Sequence, residues 1–202
     1  MRTLVIVDCQ NDFMPGGPLA VPDGDAVVGA VNDLAPRFDL VVATQDWHPR
    51  NHVSFASNHP DAEPFDSIDV AGLEQTLWPD HCVQGSPGAE FHPDLNLLGV
   101  GAVFRKGMDP QIDSYSAFYD NGHRKSTGLA GYLREKQAED LYFCGLAAEI
   151  CVAYTLADAL KEGFNATLIE DATRPLDKKA FQNAKKQLKN NGATMTTAQN
   201  MT

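Results

Sequence analysis

Short apolar runs separated by segments of helical period dominate the chain of 202 residues. "TLVIVD" (3–8), "DLVVATQD" (39–46), "GAVFRKG" (101–107), "DLYFCGL" (140–146) and "ATLIED" (166–171) are rich in Val, Leu, Ile and Phe, as strands buried on both faces require. "ATMTT" (193–197) is a weaker sixth strand. Helices are predicted over 24–36, 126–137, 149–162 and 177–191, the last stopped by Gly192. Strand–helix alternation of this kind predicts one α/β domain over 1–202. Its expected form is a six-stranded parallel sheet with helices on both faces, a Rossmann-like three-layer arrangement.

The stretch 47–100 breaks the alternation. It carries Pro49, Pro60, Pro64, Pro79, Pro87 and Pro93, with a single modest helical candidate around 70–77. Loops this long inside a compact domain are usually functional.

Ligands of an open parallel sheet bind beyond the carboxyl ends of its strands. The first strand ends in Asp8, the second in Asp46 and the third in Lys106, while the fourth leads through "GLAAEI" to Cys151. Each residue alone has a structural explanation, but four reactive side chains at four successive exits favour a shared site. Cys151 stands where a helix begins, off the apolar stripe of Val152, Leu156, Ala159 and Leu160. A helix N-terminus lowers a thiol's pKa, so a thiolate at neutral pH is expected, and its free N–H groups can stabilise an oxyanion. Gly145, Ala147 and Ala148 would let a substrate approach the backbone. Asp8, with a raised pKa, would take and return the thiol proton, and Lys106 would hold the carboxylate in place. Cys9 and Cys144 read as buried packing thiols, and so does Cys82 in "WPDHCVQGS".

Asp46 and His48 are two apart, so an extended segment directs both to one side. A third ligand from the long loop would complete a metal set with open positions for water or substrate. His52, Ser54, His59, His81 and His92 are all candidates by spacing.

Composition narrows the partners. Apolar residues make up 43%, ordinary for a globular protein, and the net charge of −11 argues against nucleic-acid or anionic-membrane partners. The Lys-rich run "DKKAFQNAKKQLKNN" suits a solvated helix face. No apolar stretch is long enough to span a bilayer, and "MRTLVIVD" is too short and poorly flanked for a signal peptide. Four cysteines without a CxxC pattern indicate reduced thiols and a cytoplasmic protein. The pattern leaves room for a homo-oligomer.

"VDCQNDF" (7–13), "ATQDWHPRNHVSF" (43–55), "WPDHCVQGSPGAEFHP" (78–93), "FRKGMDPQIDSYSAF" (104–118) and "GLAAEICVAYTLADAL" (145–160) together resemble the nicotinamidases. These are the amidohydrolase branch of the isochorismatase-like cysteine hydrolases. The resemblance covers about residues 3–171 and is carried by five motifs in order. It implies a six-stranded parallel sheet, hydrolysis of nicotinamide and pyrazinamide through a cysteine thioester, and a Cys–Asp–Lys triad falling on Cys151, Asp8 and Lys106. It further implies one divalent metal, zinc before iron or manganese, on Asp46, His48 and His81, with Ser54 close by, directly or through water. His52 matches no ligand position and is expected behind the ligands or at the surface. The implied oxyanion hole uses the N–H groups of Ala147 and Cys151, with a cis peptide at Leu146–Ala147. Phe13, Trp78 and Tyr115, with Leu146, fall where the family walls its substrate pocket.

Overall fold

The computed structural model of the chain describes residues 1–201. Six strands form one sheet: Arg2–Val7 (β1), Leu40–Asp46 (β2), Val100–Lys106 (β5), Asp140–Gly145 (β6), Asn165–Thr173 (β7) and Thr194–Thr196 (β8). Their spatial order is β5-β2-β1-β6-β7-β8, and every neighbouring pair is parallel. All six predicted strands are present within a residue or two of their expected bounds. The predicted helices are present in shorter form as Ala26–Leu34 (α1), Leu129–Glu135 (α2), Ala153–Lys161 (α3) and Lys178–Asn190 (α4).

Alternation along the strands divides the core into two layers. Leu4, Ile6, Val41, Ala43, Cys144 and Ile169 face α1, where Val27, Val28, Val31 and Leu34 are buried. Val5, Val7, Val42, Leu141, Phe143 and Leu168 face the other way, against Leu133 of α2, Leu156 of α3 and Phe181 of α4. The sheet is therefore covered on both faces, which is why its strands read as nearly unbroken apolar runs.

The helix expected around 70–77 is instead an antiparallel hairpin, Ser67–Val70 (β3) and Leu73–Thr76 (β4). Two features explain the correction. Ala71 and Gly72 both have left-handed φ (52° and 83°), as a two-residue hairpin turn requires. The flanking residues also alternate with period two, pairing Ile68 with Gln75 and Val70 with Leu73 on one face and Asp69 with Glu74 on the other.

β1 lies between β2 and β6, so the chain leaves the middle of the sheet in both directions and opens a crevice at the strands' carboxyl ends. Gly145 closes β6 there with φ of 104°, and a Cβ on it would lie 2.0 Å from the Val7 carbonyl oxygen. Leu146 N–H donates to that same oxygen at 2.9 Å, so the close approach is part of the strand end. Among the described residues no helix is long and apolar enough to cross a membrane.

Gly145→Ala combines a backbone clash with an unfavourable φ and should cost about 3 kcal/mol, lowering the melting temperature by roughly 6–12 °C. Gly131→Ala in α2, where an added Cβ meets nothing within 4 Å, should leave it unchanged or slightly raised. Thermal denaturation of the two variants checks the contrast.

Candidate active site at the carboxyl ends of the strands

Asp8 follows β1, Asp46 ends β2, Lys106 ends β5, and β6 runs through a cis Leu146–Ala147 peptide into the turn carrying Cys151. That turn, Ala148–Val152, is a wide π-type turn continuing directly into α3. The four side chains named from their strand exits meet in one buried group. Lys106 Nζ lies 2.9 Å from Asp8 Oδ2 and 3.1 Å from Asp46 Oδ1. It also donates to Ser114 C=O at 3.1 Å and to Cys151 Sγ at 3.4 Å. Ligand atoms of Asp8, Asp46 and Cys151 all lie within 4.8 Å of one another.

Burial and charge compete at each of these groups. Burial pushes the Cys151 thiol well above its ordinary range, and Lys106 only partly offsets that while Asp8 and Asp46 add to it. Burial therefore opposes the thiolate that the helix N-terminus favours. Burial likewise raises Asp8, against the pull of Lys106. Lys106 would lose its proton through burial alone, but Asp46 and Asp8 hold it well above the ordinary lysine range. Cys151 and Asp8 are thus both shifted toward holding a proton, and Lys106 toward keeping its charge beside them.

A second group shares Asp46. Asp46 Oδ2 lies 3.1 Å from His48 Nε2 and 3.6 Å from His81 Nε2. His48 Nδ1 lies 2.9 Å from the Gly107 carbonyl oxygen, and His81 Nδ1 lies 2.7 Å from that of Pro79. A carbonyl only accepts, so each Nδ1 donates and, in the neutral rings, each Nε2 lone pair faces the carboxylate. Two imidazole lone pairs and a carboxylate oxygen aimed at one another need a cation or a proton between them. Despite the opposing effect of burial, Asp46 raises His48, and His48 with Lys106 keeps Asp46 well below the carboxylate range. The donor set, a carboxylate and two Nε2 atoms, fits a divalent metal with open coordination positions.

The remaining candidates separate. His52 is fully buried, with its ring 4.2 Å from that of His48, so a surface position is excluded. Burial and His48 push its pKa down to about 4. Ser54 Oγ lies 2.7 Å from His52 Nδ1, which ties it to the ring packed on His48. His59 Nε2 binds the Val53 carbonyl oxygen, and the backbone N–H of Asp94 donates to His92 Nδ1.

Phe13, Trp78 and Tyr115 line a narrow cavity with Asp46, His48, His81, Asp113, Ala147 and Cys151. Leu146 does not line it: its side chain is fully buried in the core beneath, and Ala147 takes the wall position instead. Cys9, Cys82 and Cys144 have no exposed surface. A groove of about 320 Å³ between α3 and α4 is more open, but no cysteine lines it.

Several positioning side chains escaped the sequence reading. Thr44 Oγ1 donates to Asp8 Oδ1 at 2.6 Å. Gln10 holds both backbone ends of Asp46, donating from Nε2 to its carbonyl at 2.7 Å and accepting its N–H at 2.8 Å. Asp12 Oδ2 accepts the Cys82 N–H at 2.7 Å, next to His81. Gln10 and Asp12 lie inside "VDCQNDF", where their nearness to Asp8 and Phe13 was the available signal.

An isochorismatase-domain family model matches residues 2–200. The nicotinamidase of Acinetobacter baylyi is 49% identical over 174 residues, covering 86% of this chain and 81% of that protein. A solved nicotinamidase–pyrazinamidase of Acinetobacter baumanii superposes with a TM-score of 0.97 at 45% identity, over 100% of this chain and 98% of that one. The pyrazinamidase of Pyrococcus horikoshii, solved in complex with zinc, superposes with a TM-score of 0.80 at 36% identity, over 97% and 98%.

Alkylation with limiting iodoacetamide should modify one cysteine first, Cys151, because it alone of the four lines the cavity; peptide mapping checks this. Lys106→Met leaves two buried carboxylates without their shared cation and should cost about 3–5 kcal/mol of stability, read by urea denaturation.

Proposed function

The chain belongs to the isochorismatase family, and we infer that its reaction is the hydrolysis of nicotinamide to nicotinate and ammonia. The observation that carries this reading is the Lys106 ammonium within reach of Asp8, Asp46 and Cys151 Sγ, the last two lining an aromatic-walled cavity. Thiol, proton carrier and cation are what a covalent amide hydrolysis needs. We read residues 1–202 as one hydrolase domain, and the four unpaired cysteines fit the reducing cytoplasm.

Asp8 takes the proton of Cys151 Sγ as the sulfur attacks the carboxamide carbon. Its raised pKa suits it to this task, since a weaker acid is a stronger base. Lys106 stabilises the negative charge that moves between the carboxylate and the sulfur. The tetrahedral oxyanion is held by the N–H groups of Ala147 and Cys151, both at the cavity wall. Asp8 gives its proton to the amide nitrogen, the C–N bond breaks and ammonia leaves a thioester on Cys151. Asp8 next takes a proton from water as the water oxygen adds to the thioester carbon. The C–S bond breaks, the sulfur recovers its proton from Asp8, and nicotinate is released.

Asp46, His48 and His81 would hold the divalent metal, for which we favour zinc over iron or manganese; when bound, it supplies a Lewis-acid contact to the pyridine ring nitrogen. Phe13, Trp78 and Tyr115 enclose the ring. Pyrazinamide keeps the carboxamide and a ring nitrogen and should be accepted by the same cavity.

The test is ammonia release from nicotinamide by purified, metal-replete protein. Cys151→Ala should lower turnover by about a thousandfold or more, and verified metal removal should weaken nicotinamide binding in direct titration. Absence of ammonia from the intact protein would sink the reading, and full turnover by Cys151→Ala would overturn the mechanism.

A further inference from the structure

Gln75 is a polar residue on the hairpin face it shares with Ile68, Val70 and Leu73, and it is buried at 3% exposure. A buried carboxamide is retained only where its hydrogen bonds are met. Its Nε2 lies 2.7 Å from the Thr76 carbonyl oxygen, 3.1 Å from Asp113 Oδ2 and 3.2 Å from the Tyr115 hydroxyl. The first contact is local. The other two reach 38 and 40 positions along the chain, to residues that line the catalytic cavity.

Both partners are also held elsewhere, and Gln75 joins them. Asp113 Oδ1 accepts the Ser114 N–H at 2.7 Å, so Oδ2 is the oxygen left for Gln75. Ligand atoms of Asp113, His48 and His52 lie within 4.8 Å of one another, so this carboxylate also borders the histidine cluster. Tyr115 is anchored at its backbone, where its N–H donates to Asn121 Oδ1 at 2.9 Å. Its ring stands edge-on to Trp78 with centroids 6.2 Å apart, and the far end of that ring is where Gln75 meets it. The Tyr115 side chain also hydrogen-bonds Trp78, and its ring meets Tyr154 edge-on at 5.2 Å, so Gln75 adds the contact that couples this wall to the hairpin.

We propose that Gln75 is a positioning residue for the amide-binding cavity, its carboxamide fixing the Tyr115 ring and the Asp113 carboxylate and so making the β3–β4 hairpin part of substrate recognition. The kinetic consequence rests on the hydrolase reading above; the structural consequence does not. A ring wall contacts the substrate in the ground state and the transition state alike, so its loosening falls on KM and leaves kcat nearly untouched.

The test uses the full-length, metal-replete chain with Gln75→Met, Tyr115→Phe and the double variant. Gln75→Met keeps the size and removes the donor. It should raise KM for nicotinamide about tenfold with kcat within about twofold of the parent. The same substitution on the Tyr115→Phe background should add much less, because the phenol it would release is already gone. Backbone amides of residues 112–116 should exchange faster with deuterium in Gln75→Met than in the parent, with no substrate present. A folded Gln75→Met with unchanged KM and unchanged exchange overturns the proposal, as do KM effects that simply multiply in the double variant. Should Gln75→Met fail to fold, Tyr115→Phe removes the contact from the other side, and an unchanged KM there overturns it equally. Faster exchange in Gln75→Met than in a parent that itself releases no ammonia would uphold the positioning role and overturn the hydrolase reading.

Discussion

The Lys106 ammonium holds the catalytic end of the sheet together. Taken out of water alone it would shed its proton, and Asp8 and Asp46 taken out of water alone would gain theirs. Placed 2.9 and 3.1 Å apart, they keep one another charged. One cation cannot fully balance two carboxylates, and the remainder sets the chemistry. Asp46 has a second favourable partner in His48, so its carboxylate stays low, whereas Asp8 has only a share of Lys106 and rises. Asp46 is the hinge between two functions, giving Oδ1 to the ammonium and Oδ2 to the imidazoles. A metal bound on that side would therefore alter how much of Lys106 is available to Asp8 and Cys151.

The sheet and its crevice were largely legible because they follow from local rules. Apolar runs such as "TLVIVD" admit little besides a strand covered on both faces, and the strand exits then locate Asp8, Asp46, Lys106 and Cys151 without any knowledge of contacts. The stretch around 70–77 reads as helical because Val70, Leu73 and Leu77 suit a helical stripe about as well as a period of two over so short a window. Its left-handed Ala71 settles the matter, and sequence gives no strong signal for alanine with that φ.

The site was legible in its reacting groups and much less so in what holds them. Thr44 on Asp8, Gln10 on Asp46 and Asp12 on Cys82 are ordinary polar residues whose partners lie 36, 36 and 70 positions away. Beyond the nearness of Gln10 and Asp12 to Asp8 and Phe13, nothing in their local pattern separates them from solvated polar residues. The electrostatics of Cys151 meets a related limit. A helix N-terminus can be read from sequence, but the burial that opposes it is a property of the assembled fold. His52 shows the same limit, since only the folded loop puts its ring against His48.

The site divides between two kinds of support. Asp8, Asp46 and Lys106 stand at or beside ends of hydrogen-bonded strands, where backbone ladders fix β1 and β2 on both sides and the edge strand β5 on one. His81, Trp78 and Phe13 stand on irregular backbone, which must find its own partners. It does so through isolated bridges, His48 with Val83, Phe55 with Trp78 and Gln10 with Phe91, and through single side chains such as Asp12. Gly88 shows how closely that packing is drawn, since a Cβ there would lie 2.1 Å from an Asp12 carboxylate oxygen. Geometry needed for bond making thus rests on the sheet, where small displacements are resisted by many bonds at once. Geometry needed for choosing the ring rests on loops, where one side chain can change the shape of the wall without disturbing the thiol, the ammonium or the carboxylate beneath it.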